Sequence, residues 1–242
     1  LDKPVLFVSD VHLCAAEPAI TARFLKFLDA EAAHAAALYI LGDLFEVWVG
    51  DDSADEHDTR VLDAIGRLAS SGVATSFIAG NRDFMLGNAA AGRAAVTMLS
   101  DPTRIDLFGR AALILHGDTL CTDDTAYQRY RARIRHPIVL GTALTLPGFM
   151  RRAIGRSLRA RSERVKSTKP PAIMDVNDEA VRNVFRTSGA ELMIHGHTHR
   201  PGRHAYEIDG RHCERIVLPD WHARGGYLRC TPAGCEAVFV DG

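Results

Sequence analysis

Five short groups, Asp10-Val11-His12, Gly42-Asp43, Gly80-Asn81-Arg82-Asp83, His116-Gly117-Asp118 and Gly196-His197-Thr198-His199, collect carboxylates, imidazoles and one amide between residues 10 and 199. Oxygen and nitrogen donors without a thiolate suit hard-to-borderline divalent cations such as manganese, with iron or zinc as alternatives. Two ions fit this set better than one. Asp10, His12, His199 and a bridging Asp43 would hold the first, leaving the other oxygen of Asp43 with Asn81, His116 and His197 for the second. Two ions roughly 3.5–4 Å apart lower the pKa of a shared water toward neutrality and clamp the attacking and leaving oxygens of phosphoryl transfer. The expected chemistry is hydrolysis of a phosphoester or phosphoanhydride. Taken singly, each group has a plainer reading: a strand-end Asp caps helices, Gly-Asp makes turns, and a lone His sits on the surface or in a satisfied core.

Their common placement distinguishes them, because each follows an apolar run of strand length. Val5–Val8, Leu38–Leu41, Thr75–Ala79, Ala111–Leu115 and Glu191–Ile194 read as strands. Helical spacing separates them, in Ile20, Phe24, Phe27 and Leu28, in Val61, Leu62, Ile65 and Leu68, and over residues 175–187. This alternation predicts an α/β fold, in which strand ends converge on one crevice. Runs at 216–218, 227–230 and 237–240 read as further, consecutive strands.

The chain has 242 residues, 47% hydrophobic and 24% charged, with a formal net charge of −1. That composition excludes disordered and collagen-like classes, and no apolar run reaches the ~20 residues of a membrane span. Overall charge gives no support to a nucleic-acid partner. Cys14, Cys121, Cys213, Cys230 and Cys235 form an odd set without C-x-x-C, which predicts reduced thiols in a cytosolic protein. Because the sequence opens on a strand-like run, no signal peptide is expected.

Charge is uneven along the chain. From about residue 122 to 169, twelve Lys/Arg face only Asp123, Asp124 and Glu163. The segment reads as two helices, 123–135 and about 147–166, joined by an apolar connection over 138–146 and stopped by Pro170-Pro171. In the second helix Met150, Ile154 and Leu158 recur on one face, with Arg151, Arg152, Arg156 and Arg159 on others. Such a helix either packs its apolar stripe on a core or offers it to acyl chains while its cations meet phosphates or an anionic membrane surface.

The pattern D-x-H, G-D, G-N-[HR]-[DE], strand-end His and G-H-x-H resembles that of the calcineurin-like metallophosphoesterases. The longer contexts Ser9–Leu13, Leu41–Asp52, Gly80–Phe84 and His195–Pro201, with the basic insertion, are similar to the UDP-2,3-diacylglucosamine diphosphatase family of lipid A biosynthesis. This resemblance implies a four-layer αββα sandwich formed by residues 1–122 and 170–242, with a helical cap at 123–169. It implies two Mn2+ ions and hydrolysis of a UDP-linked diacylated glucosamine lipid to UMP and 2,3-diacylglucosamine 1-phosphate. Peripheral attachment to the cytoplasmic face of a Gram-negative inner membrane follows, and no protein partner is expected. Catalytic roles carry over to Asn81, Arg82 and His116, and substrate contacts to Asn81, Arg82, Asp124, Ser162, Lys166, Lys169 and His197. Lys166 stands where the family more often has Asn, and Asp124 reads equally as a helix first-turn acid.

Many phosphoesterases place a histidine where Arg82 stands. A guanidinium cannot act as a general acid near neutral pH but binds phosphate oxygens in a planar fork. A phosphate leaving group, with its second pKa near 6, needs little protonation, so Arg82 favours a diphosphate substrate over an alkoxide leaving group. The plainer reading pairs Arg82 with Asp83. Glu46 is a candidate to orient a ligand, His195 to line the crevice or orient a ligand, and Trp221-His222 is open to packing or function. Histidines 34, 57, 136, 204 and 212 are expected at the surface. The alternatives carried forward are a phosphoesterase for soluble dinucleotides or phosphodiesters, and a catalytically silent binding module.

Overall fold

Apolar runs without alternation belong to strands covered on both faces, and the two sheets of this protein are covered in that way. The computed structural model describes residues 3–168, 173, 175–222 and 224–240, excluding the side chains at 161, 163 and 165–168. The first half runs β1 (Val5–Val8), α1 (Pro18–Ala30), β2 (Ala37–Leu41), α2 (Glu56–Ser70), β3 (Ala74–Ile78), α3 (Asn88–Arg93) and β4 (Thr97–Leu99). Its four strands lie parallel in sequence order. There follow β5 (Thr103–Leu107), β6 (Arg110–Ile114), α4 (Thr125–Ile134), α5 (Pro137–Leu144), α6 (Gly148–Thr168) and α7 (Asp178–Ser188). The chain closes with β7 (Leu192–His195), β8 (Gly202–Ile208), β9 (Arg211–Val217), β10 (Gly225–Thr231) and β11 (Gly234–Val240).

One sheet has the order β11-β10-β1-β2-β3-β4 and the other β5-β6-β7-β9-β8. Phe7, Leu41 and Ile78 from the first sheet pack with Ile114, Ile194 and Ile216 from the second. The opposite face of the first sheet, with Leu6, Val8 and Ile40, packs on α1 and α2 through Phe24, Phe27, Val61 and Ile65. On the outer face of the second sheet, Met193 and Tyr206 meet Val181 and Phe185 of α7. These are the four layers of the αββα sandwich. Among the described residues no helix is long and apolar enough to cross a membrane.

Local chemistry sets the helix ends. Pro18 opens α1, Asp55 and Asp58 form a capping box on α2, and Asn177 caps α7, which stops at left-handed Gly189. The apolar connection expected over 138–146 is instead mostly helix: Pro137 starts α5 and His136 caps it. A uniformly apolar stretch carries no periodicity to betray the helix. The expectation of five reduced thiols is likewise corrected. The β10–β11 register sets Cys230 opposite Cys235, and the two form a disulfide; Cys14, Cys121 and Cys213 are free.

Trp221, fully buried, meets the rings of Phe24 and Phe27 edge-on at 5.5 and 5.6 Å, fixing the segment after β9 against α1. Trp221→Ala is expected to lower the unfolding free energy by about 3–5 kcal/mol, measurable by urea denaturation.

Candidate active site

Both sheets deliver site residues from the carboxyl ends of their strands. Asp10 and His12 follow β1, Asp43 follows β2, and Asn81 to Asp83 follow β3; His116 follows β6, and His197 and His199 follow β7. Five of these residues have left-handed backbones, at φ 52° for Asp10, 56° for His12, 53° for Asp43, 69° for His197 and 53° for His199. The conformation costs of order 1–3 kcal/mol at a non-glycine position and persists where the surroundings over-determine it. Here they do. Asp10 N donates to Gly42 O at 3.1 Å, His12 N to Asp43 O at 3.0 Å and His197 N to Asp10 Oδ2 at 2.8 Å.

Two glycines let the loops approach. A Cβ on Gly80 would lie 2.2 Å from Asp43 Oδ1, and one on Gly196 would lie 2.2 Å from Asp10 Oδ2. Asp83 is buried beneath them, and its carboxylate accepts from the backbone N–H groups of Leu44 at 2.7 Å and Gly80 at 2.8 Å, with longer contacts from Asp43 and Phe45. Burial, then the charge of Asp43, pushes its carboxyl up to about 7. Asp83 therefore spends its oxygens on two loops rather than on Arg82. Arg82 Nε instead stands 4.0 Å from Asp43 Oδ2, while its backbone N–H donates to Asp43 Oδ1 at 2.8 Å.

The seven residues expected to bind metal converge. Asp10 Oδ1 is 3.4 Å from His199 Nε2 and 4.0 Å from His12 Nε2, and the two imidazole nitrogens are 3.4 Å apart. Asp43 reaches both halves, with Oδ2 at 4.0 Å from His12 Nε2 and Oδ1 at 3.7 Å from His116 Nε2. Asn81 Oδ1 lies 3.0 Å from His116 Nε2, and the His197 ring meets the His116 ring edge-on at 5.0 Å.

The far nitrogen of each of three imidazoles faces an acceptor. His116 Nδ1 is 2.9 Å from Leu41 O, His12 Nδ1 is 3.1 Å from Glu46 Oε2, and His199 Nδ1 is 3.7 Å from Asp220 Oδ2. The hydrogen bond of His116 Nδ1 to Leu41 O leaves its Nε2 facing the centre, and Glu46 and Asp220 stand behind His12 and His199 in the outer positions that orient metal-binding histidines. Asp10 Oδ1 is buried without a hydrogen-bond partner. A divalent cation fits this donor set.

Burial and the neighbouring charges pull the groups of the site in different directions. Burial works to raise the Asp10 carboxyl, but His199, His116 and His12 hold it well below its ordinary value. Burial also opposes protonation of His116, yet Asp43, Asp10 and Asp118 draw it up to about 9. His12 goes the other way, down to about 4, because burial outweighs Asp43 and Asp10.

Several further residues acquire contacts that the sequence left unassigned. Buried Asp118 accepts from Tyr127 Oη at 2.8 Å and Arg131 Nε at 2.6 Å, so it ties α4 to the loop after β6. Arg135 donates to Gly80 O at 2.7 Å and lies over the Phe84 ring. His222 stacks on His12 and His199 at 5.2 and 5.5 Å between ring centroids, with Trp221 and Asp220 holding the turn. His195 is fully buried, and burial with nearby Arg215 lowers it to about 4.

The expected substrate contacts are placed unevenly. Asp124 caps α4 by accepting from Tyr127 N at 3.0 Å, and Ser162 is half-buried on α6. The side chain of Lys166 and all of Lys169 lie outside the described residues.

Residues 3–201 match the family model of the calcineurin-like phosphoesterases, and the chain belongs to that family. At 47% identity over 94% of this chain and 91% of the relative, it is similar to a UDP-2,3-diacylglucosamine hydrolase of Nitrosococcus oceani. It is 46% identical to enzymes of the same name from Cellvibrio japonicus, over 95% of each chain, and Escherichia coli O81, over 96% of this chain and 97% of the relative.

Gly196→Ala is expected to push Asp10 and Ser9 aside, since the new Cβ would lie 2.1 Å from Ser9 Oγ. Calorimetric titration with Mn2+ should show weakened binding, with about 1–3 kcal/mol lost from stability in parallel melts.

Proposed function

We propose that this protein hydrolyses the diphosphate of UDP-2,3-diacylglucosamine to UMP and 2,3-diacylglucosamine 1-phosphate. The observation that carries this reading is the convergence of seven oxygen and nitrogen donors beside an arginine and beneath a helical segment with outward apolar residues. The names of the similar enzymes point the same way. Asp10, His12, Asp43 and His199 would hold one Mn2+, and Asp43, Asn81, His116 and His197 a second. When bound, such a pair supplies a water acidified toward neutrality and positive charge for the developing oxyanions.

The chain's own groups do the rest. Asp43 is held by Arg82 N so that its two oxygens serve opposite halves of the centre. The Arg82 guanidinium contributes a fixed positive charge for phosphate oxygens and no proton, which suffices for a phosphate leaving group. His116 keeps its orientation through Leu41 O.

Residues 123–169 would form a cap that receives the acyl chains. Arg151 is buried, held by Asp52 and by Leu144 O at 2.9 Å; Arg152 reaches Ser53 O, and Arg159 pairs with Glu46. With Arg151 and Arg159 turned to the core, Met150, Ile154 and Leu158 remain over 40% exposed, and Ile138 reaches 73%. Exposed apolar surface of this kind marks a lipid or partner site. Arg129, Arg133 and Arg156 are exposed as well and would favour an anionic membrane surface by about 1 kcal/mol each. This gives reversible attachment at the cytoplasmic face of the inner membrane. A soluble dinucleotide would leave the apolar surface without a role, and a silent module would not retain every donor.

Purified protein with Mn2+ should release UMP from UDP-2,3-diacylglucosamine and act weakly on a dinucleoside polyphosphate; the reverse preference overturns the reading. Attack on the uridine-side phosphorus predicts that oxygen from 18O-labelled water enters UMP. Asp43→Ala should remove bound Mn2+ and reduce turnover by more than the ~10–100-fold typical of an outer-shell change. Replacing Met150, Ile154 and Leu158 together with Ser should lower turnover of the lipid, relative to bis(p-nitrophenyl) phosphate, about tenfold or more.

A further inference from the structure

A cavity of about 250 Å³ opens beside Thr198, the residue between the two imidazoles of the last motif, and runs along β8 and β9. We infer that it receives the nucleoside half of the substrate, with the carbonyls of a uracil ring facing Arg215. This inference rests on the diphosphatase reading and adds a place for the nucleoside.

Arg215 lines the cavity and is only 5% exposed. Its Nη1 lies 3.1 Å from His195 Nε2 and its Nε 3.3 Å from Tyr206 Oη. Because His195 Nδ1 faces Gly196 O at 2.8 Å, that nitrogen carries the ring proton and Nε2 accepts from Arg215. Both partners are therefore neutral dipoles. Among the described residues no carboxylate lies within ion-pair distance of this guanidinium, so a buried cation faces the cavity with donors to spare. Thr198 Oγ1, also on the wall, is buried without a hydrogen-bond partner.

The remaining wall selects the ligand. Arg200 is paired with Asp175, and Arg203 with Glu214 at 2.8 Å, so the rim is not a trap for a second polyanion. Pro201 and Val217 add apolar surface. Spare N–H donors, a hydroxyl and an apolar wall suit a flat ring with carbonyl acceptors. The volume falls below the ~300–1,000 Å³ of sites that enclose a drug-sized ligand, as befits one half of a nucleotide sugar. Position agrees. Among the described residues the polar contacts of α4 and α6 with the core fall on Asp101, Asp118, Cys121, Glu46, Asp52 and Ser53, none of which lines this cavity.

The test uses the full-length protein with Mn2+ and two probes. 5-Iodouridine monophosphate, photolysed on the enzyme, should crosslink within the peptide spanning residues 198–204 or at Val217; crosslinks confined to α4–α6 overturn the inference. In the second arm UMP and inorganic phosphate compete with bis(p-nitrophenyl) phosphate. Gly202→Val places a side chain in the cavity mouth, and Arg215→Lys withdraws the planar donor edge. For each folded variant the ratio of UMP to phosphate inhibition should fall about tenfold; an unchanged ratio in both overturns the inference. If wild-type enzyme releases no UMP from UDP-2,3-diacylglucosamine, the diphosphatase reading fails instead, whatever the crosslinks show.

Discussion

The site depends on backbone placed where side-chain-bearing residues rarely go. Asp10, His12, Asp43, His197 and His199 all turn left-handed immediately after their strands, with φ between 52° and 69°. In an extended strand Asp10 and His12, two apart, would already share one face of the sheet. The left-handed turns instead seat their backbones against neighbouring strand-end loops, at Gly42 O and Asp43 O, with the Asp10 carboxylate accepting from His197 N. Such strain is tolerated because each turn is hydrogen-bonded to another: Asp10 to Gly42, His12 to Asp43 and His197 to the Asp10 carboxylate. No single loop could hold this geometry alone, so the fold and the donor set stand or fall together.

Two buried carboxylates carry the coupling outward. Asp83 gathers backbone N–H groups from the loops after β2 and β3, and Asp118 gathers Tyr127 and Arg131 from α4. A buried carboxylate that loses its donors leaves an unpaired charge or proton inside the protein, a penalty larger than the bonds themselves contribute. The loops and the first helix of the inserted segment are thus held in one arrangement by groups that do no chemistry.

Periodicity made an α/β core legible, because apolar runs mark covered strands, while the four-layer αββα order came only with the family resemblance; the seven candidate donors stood out as strand-end motifs with glycines beside them. What escaped is relational. Asp118, Asp220 and His222 acquire their contacts only through packing of distant segments, and nothing about a lone Asp or a Trp-His pair announces that. The short strands β4 and β5 and the edge strand β8 were hidden by mixed polar sequence, since edge positions need cover on one side only. Cys230 and Cys235 meet through hairpin register, which spacing alone leaves open. The helix α5 escaped for a different reason: its apolar residues surround it on all sides, erasing the 3.6-residue signature.

The inserted segment inverts the usual amphipathic rule, and the cause lies in the core it covers. The loop after β2 presents the carboxylates of Glu46 and Asp52 to α6. Packing an apolar stripe there would strip water from those carboxylates with nothing in return. Arg151 and Arg159 of α6 satisfy them instead, while Arg152 and Arg156 stay exposed. Gly155 permits the approach, since a Cβ there would lie 3.0 Å from both Val47 and Val49. The apolar stripe is left facing outward by default. A helix whose orientation is fixed by its charges can leave an apolar surface exposed without that surface having to compete for a place in the core.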